Sequence, residues 1–277
     1  MSLTRRQQLI QLARKYDALV IADDVYDFVH WEIDADEYAP SRSDTPYSQS
    51  PPSGEPSISS STVYPASRSV LPRLVDIDRT LDGGPIDTFG NAVSNGTFSK
   101  IVGPGCRVGW AEATPAFIYG LSQAGSTRSG GAPSQLTSTF INEMLQNGCI
   151  TRHIQQILIP SYKRRLFKLS YAIKQHLFPL GLTLVPTPQV NDVFIGGGFF
   201  IWLQLPSPVT AMEVAAAALQ AGVIVGEGTS SALPDGNVHH DEYRDMLRLC
   251  FAYVDEDLLT EAVMVLHRVI SDCLSCI

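Results

Sequence analysis

A five-residue apolar run, Ala18-Leu-Val-Ile-Ala22, lies between a helix-patterned segment and two consecutive acids, Asp23 and Asp24. A run that short and that continuous suits a strand buried on both faces, as in parallel sheets. Ahead of it, Leu9, Ile10, Ala13 and Tyr16 recur at helical spacing, with Ser2 or Thr4 as N-cap, so the spacing predicts a helix over 2–15. A helix leading into a buried strand implies an α/β layered core. The 277 residues suffice for one large domain or two modest ones, and 44% hydrophobic against 17% charged content lets a sizeable core form.

Between about residues 34 and 69 the composition changes. The stretch SRSDTPYSQSPPSGEPSISSST is rich in Ser and Pro and nearly free of aliphatics. It cannot bury enough apolar surface to offset its ordering entropy, which predicts a disordered insertion. The flanks, IADDVYDFVHWE and DTFGNAVSNGTFSK, read as pieces of one sheet. Further strands are expected over 93–99, 107–112, 182–186, 199–205 and 246–253, and in GVIV from Gly222. Helices are expected over 133–178, broken near Gly148 and Pro160, over 209–221 and over 255–271. The predicted organisation is a larger unit from 1–33 and 70–150, the insertion at 34–69, and a connecting helix with a smaller α/β unit over 151–277.

Charge and cysteines exclude several classes. The net charge is -8, and the strongest basic stretch, Tyr162-Lys-Arg-Arg165, falls inside an amphipathic helical pattern, so no basic face for nucleic acid is expected. The first residues are too polar for a secretory signal, and no apolar run reaches the ~18 residues of a membrane span. No membrane partner is expected, and the setting is read as reducing and cytoplasmic. Cysteines at 106, 149, 250, 273 and 276 give no disulfide framework. Cys273-Leu-Ser-Cys276 matches C-x-x-C but lacks a second pair and reads as a helix end, so no metal site is expected.

Three clusters could carry chemistry. Asp23-Asp24-Val25-Tyr26 follows the apolar strand directly, where open α/β sheets bind ligands; it also fits a solvated turn. Lys100 ends Thr97-Phe98-Ser99-Lys100, and Arg107 follows a Gly-Pro-Gly turn. A lysine at a buried strand end is costly unless its amine is used, and desolvation makes that amine nucleophilic. Thr97, Ser99 and Arg107 offer hydroxyl and guanidinium donors suited to a phosphate. A surface lysine beside a structural turn would leave the same residues. Arg248, in MLRLCFAYVD, is flanked by Leu247 and Leu249 and wants a carboxylate, from the protein or from a ligand.

Taken in order, D-x-x-Y, S-K-x-x-x-P-G-x-R-x-G-W, GGGFFIWLQLP and LRLCFA make the chain resemble the fold-type I pyridoxal-phosphate enzymes. The likeness is to the class I/II aminotransferase branch that holds kynurenine and 2-aminoadipate aminotransferases. It spans nearly the whole chain outside the Ser/Pro stretch.

The resemblance implies a partial large domain with a mainly parallel sheet and flanking helices, plus a small C-terminal α/β domain. It implies an aminotransferase that moves an amino group between an α-amino acid and a 2-oxo acid, with pyridoxal 5'-phosphate as cofactor and a homodimer as assembly. Lys100 would form the Schiff base and move the substrate proton. Asp23 would pair with the pyridinium nitrogen, Asp24 being its competitor. Tyr26 would bond the ring O3′, Thr97, Ser99 and Arg107 would hold the phosphate, and Arg248 would bind the substrate carboxylate. His30 and His239-His240 have no place in the pattern and read as surface or loop residues. The same residues would serve a carbon–sulfur lyase or an aminocyclopropane-carboxylate-synthase-like enzyme. The aminotransferase-like module of a transcription regulator shares the D-x-x-Y and S-K patterns, but it follows a basic winged-helix segment that has no counterpart here.

One departure stands out. Members of the resembled branch carry roughly half of their large domain ahead of the point matched by Met1. That half includes a second phosphate-binding segment, the ring that stacks on the cofactor, and an Asn-Pro-Thr/Gly turn. No Asn-Pro-Thr-Gly occurs in this sequence. An exposed sheet edge, an incomplete cofactor wall, weak cofactor binding and slow turnover are therefore expected of a truncated homologue.

Overall fold

The computed structural model describes residues 1–33, 71–128, 134–187, 189–190, 193–232 and 243–275. The Ser/Pro stretch 34–69, His239-His240 and Cys276 lie outside them.

Helix α1 (Leu3–Lys15) starts where Ser2 Oγ accepts the Arg5 N–H at 3.3 Å, and it buries Ile10 and Ala13. The chain turns at Asp17, which is left-handed (φ 50°), into β1 (Val20–Asp23). Helix α2 (Leu74–Thr80) packs with α1 over a small core of Ile10, Val75, Ile77 and Ala92. Asp78 ties these pieces together. One of its oxygens accepts from Arg14 Nε and Nη2 at 3.1 and 2.9 Å, and the other accepts the Asn91 N–H at 2.8 Å.

Strand β1 runs parallel to β3 (Ala92–Thr97), with Val20 opposite Ala92 and Asp23 opposite Asn95. Strand β4 (Gly109–Glu112) then pairs antiparallel with β3 and completes the order β1-β3-β4. Among the described residues β1 has a neighbour on one side only, and Ile21 is 69% exposed. The parallel pairing agrees with the apolar run; burial on both faces does not. Burial of a strand depends on what packs over it, which the run itself does not encode.

The IADDVYDFVHWE flank divides. Strand β2 (His30–Ile33) leaves the first sheet and pairs antiparallel with β7 (Val193–Gly197), which is followed by β6 (Gln189–Val190). Gly196 makes room for this pairing. A Cβ there would lie 2.7 Å from both Trp31 Nε1 and Ile33 Cδ1, so only glycine lets the indole lie across the strand. His30 is thus a half-buried strand residue rather than a loop residue.

The third sheet is antiparallel, in the order β5 (Thr183–Leu184), β8 (Phe200–Gln204), β10 (Met246–Cys250), β9 (Gly226–Glu227). It shares the larger core with β2 and the flanking helices, including Trp31, Phe98, Leu203, Leu247 and Phe251.

Helices α3 (Pro115–Ser122), α4 (Gln135–Gln146) and α5 (Cys149–His153) precede the long α6 (Ile159–His176). Helices α7 (Ala211–Gln220) and α8 (Leu258–Ser275) follow. Gly148 (φ 73°) separates α4 from α5, as expected. Pro160 causes no break; it sits in the first turn of α6, after a π-helical stretch at Ile154–Leu158. That wider turn accommodates a residue that cannot donate to the ladder. The GVIV strand is also absent. Val223 N–H returns to the Ala218 carbonyl at 2.8 Å to close α7, Ile224 is 85% exposed, and pairing begins only at Gly226.

The basic stretch of α6 is used within the fold. Arg164 pairs with Glu256, Lys168 pairs with Asp257, and Arg165 donates to the Phe251 and Val254 carbonyls. Among the described residues, no helix is long and apolar enough to cross a membrane.

Candidate active site

The parallel strands β1 and β3 deliver their carboxyl ends side by side, and the candidate residues gather there. Asp23 is exposed and accepts from Asn95 Nδ2 at 2.9 Å. Asp24 is held by the buried Ser94, whose hydroxyl donates to it at 2.6 Å. Asp23 is therefore the more open of the two acids.

Tyr26 sits in the turn between β1 and β2, half-buried and edge-on to Phe199, with ring centroids 5.0 Å apart. Gly198 passes under it with φ 65°; a Cβ there would come 3.6 Å from the Tyr26 ring. Burial pushes the Tyr26 phenol above its ordinary value; Cys250 adds to the shift, Arg248 opposes it, and Asp23 adds to it again.

Strand β3 stops at Thr97, three residues short of Lys100. Phe98–Lys100 form a 3-10 turn instead of the predicted strand end. Thr97 Oγ1 accepts the Ser99 N–H at 3.1 Å and donates to Ser99 Oγ at 2.9 Å, so local side-chain bonding replaces the ladder. Phe98 is buried against Trp110, 4.9 Å between centroids. The indole of Trp110 lies directly over Gly96, where a Cβ would be 2.1 Å from Cε2. This glycine–tryptophan pair folds the signature back on itself and leaves Lys100 beyond the end of β3. Lys100 Nζ then rests 5.5 Å from the Tyr26 ring centroid and 5.6 Å from that of Phe199. No ion pair to it occurs among the described residues.

Arg107 is exposed and left-handed (φ 50°), after a 3-10 turn at Pro104–Cys106. The Phe98 N–H bonds the Val108 carbonyl at 3.0 Å, which brings Arg107 beside the Thr97–Ser99 turn. Its guanidinium donates to the Pro104 carbonyl at 2.9 Å and to neither hydroxyl. The two hydroxyls are thus together, with Arg107 adjacent but turned onto its own loop.

Arg248 is half-buried in β10, and its side chain has no ion pair or hydrogen bond among the described residues. Its guanidinium carbon lies 4.5 Å from the Phe200 ring centroid, and Phe200 is in turn 6.4 Å from Tyr26. Three of the seven residues singled out in the sequence, Tyr26, Lys100 and Arg248, are linked through aromatic side chains that were not singled out. Phe199, Phe200 and Tyr162 (5.1 Å from Phe199) form that wall, with Cys250 opposite Phe200. A signal existed for two of them, because the glycines of GGGFF mark a close backbone approach.

No protein-family model matches the chain. It is 34% identical over 257 residues to YER152C, an uncharacterized protein of Saccharomyces cerevisiae, covering 92% of this chain and 49% of that one. It is 26% identical over 272 residues to aromatic-amino-acid aminotransferase 1 of Thermococcus litoralis, covering 97% of this chain and 50% of that one. The solved α-aminoadipate aminotransferase LysN of Thermus thermophilus, complexed with N-(5'-phosphopyridoxyl)-L-leucine, superposes with a TM-score of 0.69 at 20% identity. That match covers 100% of this chain and 56% of LysN. The chain is thus similar in sequence to a curated aminotransferase and in fold to a solved one. The chain spans about half the length of the curated relatives it matches.

The donor set of the chain fits the cofactor. A lysine amine free of ion pairs among the described residues, an open aspartate, a half-buried phenol and two hydroxyls next to an arginine match an aldehyde, a ring nitrogen, a phenolic oxygen and a phosphate in turn.

Proposed function

We propose that this chain supplies the cofactor and substrate residues of an aminotransferase that moves an amino group between an α-amino acid and a 2-oxo acid. The observation that carries the reading is the environment of Lys100: its Nζ lies against Tyr26 and Phe199 with no ion pair among the described residues. Pyridoxal phosphate, when bound, supplies a ring that stabilises negative charge at the amino acid Cα. Lys100 would hold it through Nζ until the substrate amine displaces that bond, and the freed lysine amine would then take the proton from the substrate Cα. Asp23 holds a proton on the ring nitrogen, and Tyr26 donates from its phenol. Thr97, Ser99 and Arg107 would hold the phosphate, Arg107 by giving up its bond to the Pro104 carbonyl. Arg248 receives the α-carboxylate. A homodimer is the assembly that accompanies this reading.

The test is an isotope-transfer assay with pyridoxal phosphate, a 15N-labelled amino acid and an unlabelled 2-oxo acid. Label should appear in the amino acid derived from the 2-oxo acid and should vanish with Lys100→Ala. Release of labelled ammonia instead would replace transfer with lysis.

A further inference from the structure

Arg248 presents a mechanical problem. Its side chain is long, carries many rotamers, and among the described residues has no acid to hold it. An arginine that waits for a substrate carboxylate must nevertheless keep its fork aimed, or each binding event bears the full ordering cost.

The face of the sheet around Arg248 answers this. In β10, Leu247 and Leu249 are buried in the core, so Arg248 lies on the opposite face. Its cross-strand partners are Trp202 on β8 and Gly226 on β9. Phe200 lies diagonally beyond Trp202, opposite Cys250. The guanidinium carbon sits 4.5 Å from the Phe200 ring centroid, so the side chain leans along the strand toward Tyr26 rather than across it. On the other side a Cβ at Gly226 would lie 3.2 Å from Arg248 Nε and 3.3 Å from its Cβ, tighter than ordinary packing. One neighbour attracts the guanidinium, and the other leaves it room.

We infer that Phe200 and Gly226 are positioning residues for Arg248, together aiming its guanidinium to receive a substrate carboxylate. This rests on the reading of Arg248 as the carboxylate-binding residue. Phe200 contributes through the face of its ring, which draws a cation and matches the planar fork. Its removal should weaken carboxylate binding about two- to thirtyfold, the span of measured cation–π contributions. Gly226 contributes by lacking a side chain, so Gly226→Ala should weaken binding by displacing Nε.

The test follows the Arg248 Nε–H resonance of 15N-labelled chain during titration with 2-oxoglutarate, the signal being assigned by its loss in Arg248→Lys. In the wild-type chain the resonance should carry a ring-current displacement that Phe200→Leu removes and Phe200→Tyr restores. The dissociation constant should rise with Phe200→Leu and Gly226→Ala and recover with Phe200→Tyr, a rescue that a general loss of packing would not show. If Phe200→Leu does not fold, Gly226→Ala and the wild-type ring-current shift carry the test.

Weaker binding by Arg248→Lys with unchanged binding by Phe200→Leu and Gly226→Ala would overturn the positioning role and leave the carboxylate role standing. Unchanged binding by Arg248→Lys, or no saturable shift in the wild-type chain, would overturn both.

Discussion

Replacing Asp78 with Ala should cost the chain about 3–5 kcal/mol, the usual penalty for stranding one member of a buried ion pair. The geometry leaves little room for a smaller effect. Asp78 is 2% exposed, and the Arg14 side chain it binds is 7% exposed. Water therefore cannot take over the guanidinium when the carboxylate is gone. The same substitution orphans the Asn91 N–H, and Asn91 also bonds the Ala18 carbonyl and pairs with Val20. Helix α1 and the first residues of β1 and β3 thus lose one shared anchor.

Urea unfolding at pH 7, followed by Trp110 emission from β4, reads the loss directly. With a slope of about 1–3 kcal/mol per molar urea, the midpoint should fall by roughly 1–5 M. The double variant Arg14→Met/Asp78→Leu should recover the ion-pair share of the loss, because an apolar pair of similar volume leaves no charge stranded, while the unpaired Asn91 N–H keeps about 1–3 kcal/mol of it. A loss below about 1 kcal/mol for Asp78→Ala would refute the anchoring role.

Three further outcomes follow from the site and its surroundings. Tyr26 should ionise above its ordinary value of 10.0, seen as the difference between wild-type and Tyr26→Phe absorbance titrations, and Arg248→Gln should move that midpoint higher still. Because the folded pKa is raised, the associated stability is present below pH 10 and is lost as pH rises through the folded midpoint. Hydrogen bonds from Arg73 hold the Glu112 carboxyl below its ordinary 4.5, so the stability it contributes is present above that value and lost as pH falls beneath it. Glu112→Gln should flatten the acid limb of the urea midpoint. Gly96→Ala should destabilise by about 1–3 kcal/mol or more and shift Trp110 emission, since the added Cβ would collide with the indole at 2.1 Å; unchanged emission would count against the packing described.

Chemistry was more legible in the sequence than placement. Asp23, Tyr26, Lys100 and Arg248 stand out because charge or phenol beside an apolar run is costly without a use. The capping signals also read locally. Ser2, one of the two expected caps, starts α1 through a bond to the residue three positions on, whereas Thr210, expected inside a helix over 209–221, is itself the cap of α7.

What the sequence withheld depends on partners far along the chain. The pairing of β2 with β7 spans more than 150 residues, with Gly196 making room for the Trp31 indole. No periodicity in HWEI points there. Phe199 and Phe200 read as strand core because alternation cannot distinguish an aromatic facing the core from one facing a ligand. Arg107 shows the same limit in reverse. Its motif position implies a phosphate role, whereas its present hydrogen bond is to Pro104.

The central claim is that Lys100 is the residue that takes the cofactor. Purified chain mixed with pyridoxal phosphate, reduced with borohydride and digested should carry the phosphopyridoxyl mass on the peptide containing Phe98-Ser99-Lys100. Lys100→Ala should lose that label without gaining it at Lys15, Lys163, Lys168 or Lys174. Labelling spread across those four lysines, with no preference for Lys100, would contradict the account.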